Sequence, residues 1–179
     1  MRNDSNRFFV LTGGPGPGKT TLIEALKVAG LATSGEAGRS IITTNWAIGA
    51  KPALAALFAE LMLSWELRSY RIAGEQSGLV FFDRGVPDTL GYLRLTGVPV
   101  PDHATNAARR FRYARRVFVA PPWPEIFRQD NERKQTMDEA ERTFHALVAV
   151  YTELGYELVP LPLAPVETRL RFVLSETAS

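Results

Sequence analysis

The chain has 179 residues, 45% of them hydrophobic and 22% charged, with a formal net charge of +2. These are the proportions of a soluble globular protein with one domain over residues 1–179 and ample chain for its core. The small net charge argues against nucleic-acid binding, and the absence of cysteine excludes disulfides, a thiolate nucleophile and a cysteine-ligated zinc site. The longest apolar stretch, Ala53 to Leu63, contains Glu60 and is too short to span a membrane, and Met1 to Asn6 lacks a signal-peptide core. A cytoplasmic protein without a membrane partner is expected.

In chain order, Arg7–Thr12 carries the apolar run Phe8-Phe9-Val10-Leu11 and reads as a buried strand. Gly13-Gly14-Pro15-Gly16-Pro17-Gly18-Lys19-Thr20 follows and matches the phosphate-loop pattern G-x-x-x-x-G-K-[ST] at every required position. The helical segment from Thr21 to Lys27 completes the strand–loop–helix setting that this loop requires. Glycines let successive backbone N–H groups turn inward to phosphate oxygens, and the helix N-terminus adds its positive dipole. The two prolines restrict the loop backbone and lower the entropy cost of an open cradle. Lys19 is expected to reach the terminal phosphates, and the Thr20 hydroxyl to hold Mg²⁺. Together with Thr21 these residues form the predicted site for ATP, with GTP equally compatible.

Further strands are expected at Leu31–Glu36, Leu79–Asp83, Arg116–Ala120 and Tyr156–Pro160. Helices are expected over Pro52–Gln76, Asp88–Leu95, Asp102–Tyr113, Asp138–Leu154 and Val166–Leu174, the last beginning after Pro165. The alternation predicts an α/β domain with a mostly parallel sheet. On the long helix, Leu54, Leu57, Leu61 and Trp65 mark one face, and Phe58 and Met62 widen it. A stripe this broad reads as core, part of which could serve self-association, so both monomer and homodimer are compatible.

Leu79-Val80-Phe81-Phe82-Asp83-Arg84-Gly85 reads as a buried strand that ends in an acid at the carboxyl edge of the sheet, where open α/β sheets bind ligands. Asp83 there can hold Mg²⁺ or take the proton of an attacking hydroxyl, and Arg84 is placed to pair with a phosphate. The alternative for the pair is a turn cap and a surface ion pair. The arginines at 109, 110, 112, 115 and 116 read as a solvated face, since no aromatic-interleaved nucleic-acid motif accompanies them. His103 and His145 lack metal-ligand spacing.

Gly13–Thr21, Glu36-Ala37-Gly38-Arg39, Asp83-Arg84-Gly85 with Pro87-Asp88-Thr89, and the block Arg115 to Arg133 together resemble a small P-loop family. It is usually labelled an AAA-type ATPase domain and is similar to the ribosylnicotinamide kinase domain of NadR proteins. The resemblance covers nearly the whole chain. It implies the three-layer P-loop NTPase fold of nucleoside monophosphate kinases, with a parallel five-stranded sheet in the order 2-3-1-4-5. Kinases of this fold place a lid in the polar segment from about 125 to 142, where Arg128, Arg133 and Lys134 lie. Such arginines close over the triphosphate, neutralise charge on the transferred group and exclude water. The alternative is a charged helix with ion pairs such as Asp130 with Lys134.

On the acceptor side, Glu36 and Arg39 after the second strand are candidates for a ribose hydroxyl, a base edge or an acceptor phosphate. Asp88 either binds the acceptor or starts a helix, and Trp46 and Tyr92 are either base-stacking or core residues. Leu161-Pro162-Leu163-Ala164-Pro165 resembles the loop beside the adenine in related kinases. The leading expectation is a Mg²⁺-dependent kinase acting on a small, nucleoside-like acceptor. It would use Lys19, Asp83, Arg84, Arg128 and Arg133 for catalysis, and Glu36, Arg39, Arg84 and Asp88 toward the acceptor. The alternative is a regulatory NTPase that switches a protein or lipid partner. A third option, a polynucleotide-end kinase, would need tight, salt-sensitive binding that the net charge disfavours.

Overall fold

The computed structural model describes residues 4–14, 16, 18–34, 52–129 and 136–178. A short 3-10 turn, Asp4–Arg7, leads into β1, Phe8–Gly13. Then follow α1 (Lys19–Val28), β2 (Ala32–Thr33), α2 (Pro52–Gly74), β3 (Val80–Asp83), α3 (Val86–Leu95), α4 (Asp102–Arg110), β4 (Arg116–Ala120), α5 (Pro124–Gln129), α6 (Met137–Glu153), β5 (Glu157–Pro160) and α7 (Val166–Thr177).

The five strands form one parallel sheet in the order β2-β3-β1-β4-β5, the order that the family resemblance implied. Side chains alternate across a strand, so each strand feeds two cores. Phe8, Val10, Val80, Phe82 and Val117 face α2, α3, α4 and α6. Phe9, Leu11, Phe81 and Phe118 face α1 and α7, where Leu22, Leu26 and Val173 meet them. Burial on both faces explains why β1 and β3 are continuous apolar runs rather than alternating ones. The register pairs Leu11 with Asp83, which brings the end of β3 beside the root of the glycine-rich loop.

Three expectations are corrected. On α2, Leu54, Leu57 and Leu61 are exposed, at 60%, 58% and 53%. The buried side is instead Ala55, Phe58, Ala59, Met62, Leu63, Glu66, Ser69 and Ala73. Contact with α3 fixes this rotation: the rings of Phe58 and Tyr92 meet edge to face with centroids 5.1 Å apart. Second, α4 ends at Arg110, before Tyr113. The chain after it turns toward the start of the central strand β1, with Ala114 N donating to Phe8 O at 2.7 Å. Third, α3 begins at Val86, two residues earlier than expected. The candidate lid region has helix at both its ends, α5 and the start of α6, and residues 130–135 lie outside the described residues.

Candidate functional site

The loop between β1 and α1 is shaped by positions that tolerate no side chain. Gly13 has φ 133°, and a Cβ there would lie 2.5 Å from the carbonyl oxygen of Ala120 on β4. Gly18, the N-cap of α1, has φ 70°, a left-handed conformation that glycine adopts at little cost. No side chain caps α1 and its first turn carries no acid, which suits an anion at that helix end. The cradle, its lysine and the exposed Thr20 and Thr21 beside it fit a nucleotide phosphate chain. Pro15 and Pro17 lie outside the described residues.

Lys19 is the first residue of α1 and only 7% exposed. Its ammonium donates to Gly13 O at 3.0 Å and Gly14 O at 2.6 Å. Burial and the nearby charge of Arg84 lower its pKa from 10.5 to about 7, against the opposing pull of Asp83 and Asp88.

Asp83 ends β3, half-buried, and its backbone N–H donates to Ser34 Oγ at 3.0 Å. Arg84 follows with φ 80°, a left-handed backbone rare outside glycine. Such a residue costs roughly 1–3 kcal/mol and persists only where its surroundings hold it. Here Arg84 N donates to Leu11 O at 3.0 Å, Gly85 N to Asp88 Oδ2 at 3.0 Å and Val86 N to Tyr113 Oη at 3.1 Å.

Asp88 lies in the first turn of α3, where its side chain completes a capping box with Gly85, and it has no exposed surface. Its Oδ1 accepts from Thr12 Oγ1 at 2.7 Å and Arg84 Nη1 at 3.1 Å, and its Oδ2 from Tyr151 Oη at 2.6 Å and the Gly85 amide. Glu66, on α2, is 3% exposed. Burial first, then the charges of Asp88 and Asp83, push its carboxyl well above the usual range, so its neutral form is favoured. Arg169, on α7, is also buried, and its Nη1 lies 3.1 Å from where a Gly18 Cβ would stand.

Lys19, Asp83, Arg84 and Asp88 thus meet at one sheet edge, joined by Thr12, Glu66, Tyr151 and Arg169, which the sequence reading did not single out. Glu66 left a signal, since it continues the buried stripe four residues after Met62. The hydroxyl roles of Thr12 and Tyr151 left none. Glu36, Arg39, Arg133, Lys134 and Trp46 lie outside the described residues, as does the side chain of Arg128 on α5. Tyr92 is core rather than exposed, with no accessible surface. Away from the site, His103 pairs with Glu60 at 2.8 Å on the surface.

A parallel sheet in this order, with a glycine-rich loop between β1 and α1, defines the nucleoside monophosphate kinase-like P-loop fold. The chain belongs to the AAA domain family, whose profile matches residues 8–169. Among solved structures, a NadR protein in complex with NR superposes with a TM-score of 0.66 at 20% identity, over 97% of this chain and 52% of that one. Deoxyadenosine kinase from M. mycoides with bound dATP gives a TM-score of 0.61 at 15% identity, over 97% of this chain and 100% of the other. The same kinase with products dCMP and dCDP gives 0.67 at 14% identity, over 96% and 98%. The chain spans about half the length of the NadR protein and nearly the full length of the deoxyadenosine kinase. No curated protein sequence matches it significantly.

Proposed function

We propose that this protein is a Mg²⁺-dependent kinase that moves the γ-phosphoryl group of ATP, or GTP, to a small nucleoside-like acceptor. The observation that carries the reading is the convergence of Lys19, Asp83 and Arg84 where β1 and β3 end side by side. The fold shared with a deoxyadenosine kinase and a NadR protein supports it.

In this reading the loop from Gly13 to Thr21 cradles the phosphates with the backbone N–H groups of its non-proline residues, and Lys19 leaves the carbonyls of Gly13 and Gly14 to meet them. Thr20 and Asp83 would hold Mg²⁺, which when bound supplies positive charge to the phosphate oxygens. The acceptor oxygen forms a bond to the γ-phosphorus as the bond to the bridging oxygen of the diphosphate breaks. The alternative role for Asp83, in place of holding the metal, is to take the acceptor proton. Arg84 neutralises charge on the transferred group, and Arg128 and Arg133 are the proposed further residues for that role. Glu36 and Arg39 remain the proposed acceptor ligands.

Acceptor dependence tests the reading. ATP alone should be hydrolysed slowly, and a screen of nucleosides, nucleotides and ribosylnicotinamide, read by mass spectrometry, should reveal one fast acceptor. Asp83→Asn should keep ATP affinity within a few fold while turnover disappears. Turnover that survives this change would remove Asp83 from its role. A regulatory NTPase would instead show no small acceptor and different partner affinities in its diphosphate and triphosphate states. The exposed Leu54, Leu57 and Leu61 are the surface on which that second reading draws.

A further inference from the structure

Asp88 is buried without exposed surface, yet it is a carboxylate, and an unpaired charge there would be costly. Its four hydrogen bonds account for its place. A carboxylate has about four acceptor positions. Thr12, Arg84, Tyr151 and the Gly85 amide fill them all. No acceptor capacity is left for a ligand.

The donors are arranged around one neighbour. Oδ1 holds the Arg84 guanidinium, and Oδ2 holds the amide of Gly85, the residue that follows it. The side chain of Arg84 and the exit of its left-handed turn are therefore gripped by opposite oxygens of one group. The other two donors come from outside the turn. Thr12 is the residue before Gly13, at the root of the phosphate loop, and Tyr151 belongs to α6. Asp88 thus ties Arg84 to the loop that cradles phosphate and to a helix on one face of the sheet.

Two close contacts keep α6 in register with this arrangement. A Cβ on Gly14 would stand 2.7 Å from Ala140 O, and one on Gly91 would stand 2.6 Å from Leu147 Cδ2. Both contacts use missing side chains to bring α6 near, the first against the phosphate loop and the second against α3, which carries Asp88.

We infer that Asp88, oriented by Tyr151 and Thr12, is a positioning residue that fixes the Arg84 guanidinium against the terminal phosphate, and not a ligand of the acceptor. The inference rests on the reading of Arg84 as a phosphate ligand, but it needs no acceptor to be known. An arginine that meets only the terminal phosphate raises affinity for the triphosphate over the diphosphate. The ratio of ATP to ADP affinity, measured by calorimetry without acceptor, therefore reports its placement.

Asp88→Asn and Arg84→Ala should each lower that ratio about tenfold, with ADP affinity changed less than about twofold. The double variant should be no worse than Arg84→Ala alone, because the positioning residue acts only through the arginine. Tyr151→Phe, which leaves the Asp88 charge in place, should lower the ratio about threefold and serves if Asp88→Asn does not fold. A purely structural Asp88 would weaken ATP and ADP binding alike, or add its full effect in the Arg84→Ala background. Either result overturns the inference. An unchanged ratio in Arg84→Ala overturns the parent reading and this one together. A lowered ratio there that neither Asp88→Asn nor Tyr151→Phe shares overturns this one alone.

Discussion

Raising the pH from 7 to 9 should weaken triphosphate binding about 50-fold through Lys19 alone. In the free protein, burial and the charge of Arg84 bring its pKa down from 10.5 to about 7. A bound triphosphate surrounds the ammonium with negative charge and restores its protonated form. Only the protonated fraction of the free protein then binds without a cost, and the apparent Kd scales as one plus ten to the power of pH minus pKa. That factor is about 2 at pH 7 and about 100 at pH 9. The last ionisation of a phosphate, near 6, is complete over this window and adds little.

The same linkage predicts uptake of about 0.9 proton per nucleotide at pH 8. Titration calorimetry in two buffers of different ionisation enthalpy reads that number directly. Lys19→Arg should flatten the pH dependence, because a guanidinium stays charged throughout. Stability of the free protein should move the other way. The folded pKa lies below the unfolded one, so between about 7 and 10.5 the unfolded chain binds more protons and stability rises with pH. A flat affinity from pH 7 to 9 with no proton uptake would refute the reasoning.

Gly13→Ala should destabilise the fold by on the order of 3 kcal/mol in denaturant titration, because its Cβ meets the Ala120 carbonyl at 2.5 Å on a left-handed backbone. Tyr113→Phe should cost about 1–2 kcal/mol by the same measurement, since it leaves the buried Val86 N–H without its acceptor. Arg94→Ala should cost less than about 1 kcal/mol, and less still in high salt. Its bidentate pair with Glu153, at 2.7 and 2.8 Å, is solvent-exposed on both sides.

The parallel sense of the sheet and the positions of β1, β3 and β4 were legible because these strands are short, doubly buried runs between loop signals, whereas the strand order came only from the family resemblance. The glycine-rich loop was legible because its pattern is local: its residues are consecutive and stand between a strand and a helix. The Asp83-Arg84 pair was legible for a related reason, as the last acid of an apolar strand. What the sequence concealed is what tertiary packing decides. The buried side of α2 was set by contact with Tyr92, and Leu54, Leu57 and Leu61 share the same helical spacing as the residues that won. The partners of Asp88 were equally hidden, because Thr12 and Tyr151 lie 76 and 63 residues away in the chain. Nothing local in a threonine or a core tyrosine announces that its hydroxyl will serve a carboxylate that far off. Arg169 reached the phosphate loop by the same long-range route, from the first turn of the last helix.

The pairing of Leu11 with Asp83 makes chain length a heritable constraint on this site. One residue added to or lost from β3 turns Phe81 and Phe82 to exchanged faces and carries the carboxylate to the opposite side of the sheet. The same change in the irregular connection from Thr96 to Pro101 shifts no paired strand. Insertions and deletions should therefore survive unevenly across the gene, tolerated in that connection and purged between Val80 and Asp83, even where the inserted residue is itself a good strand former.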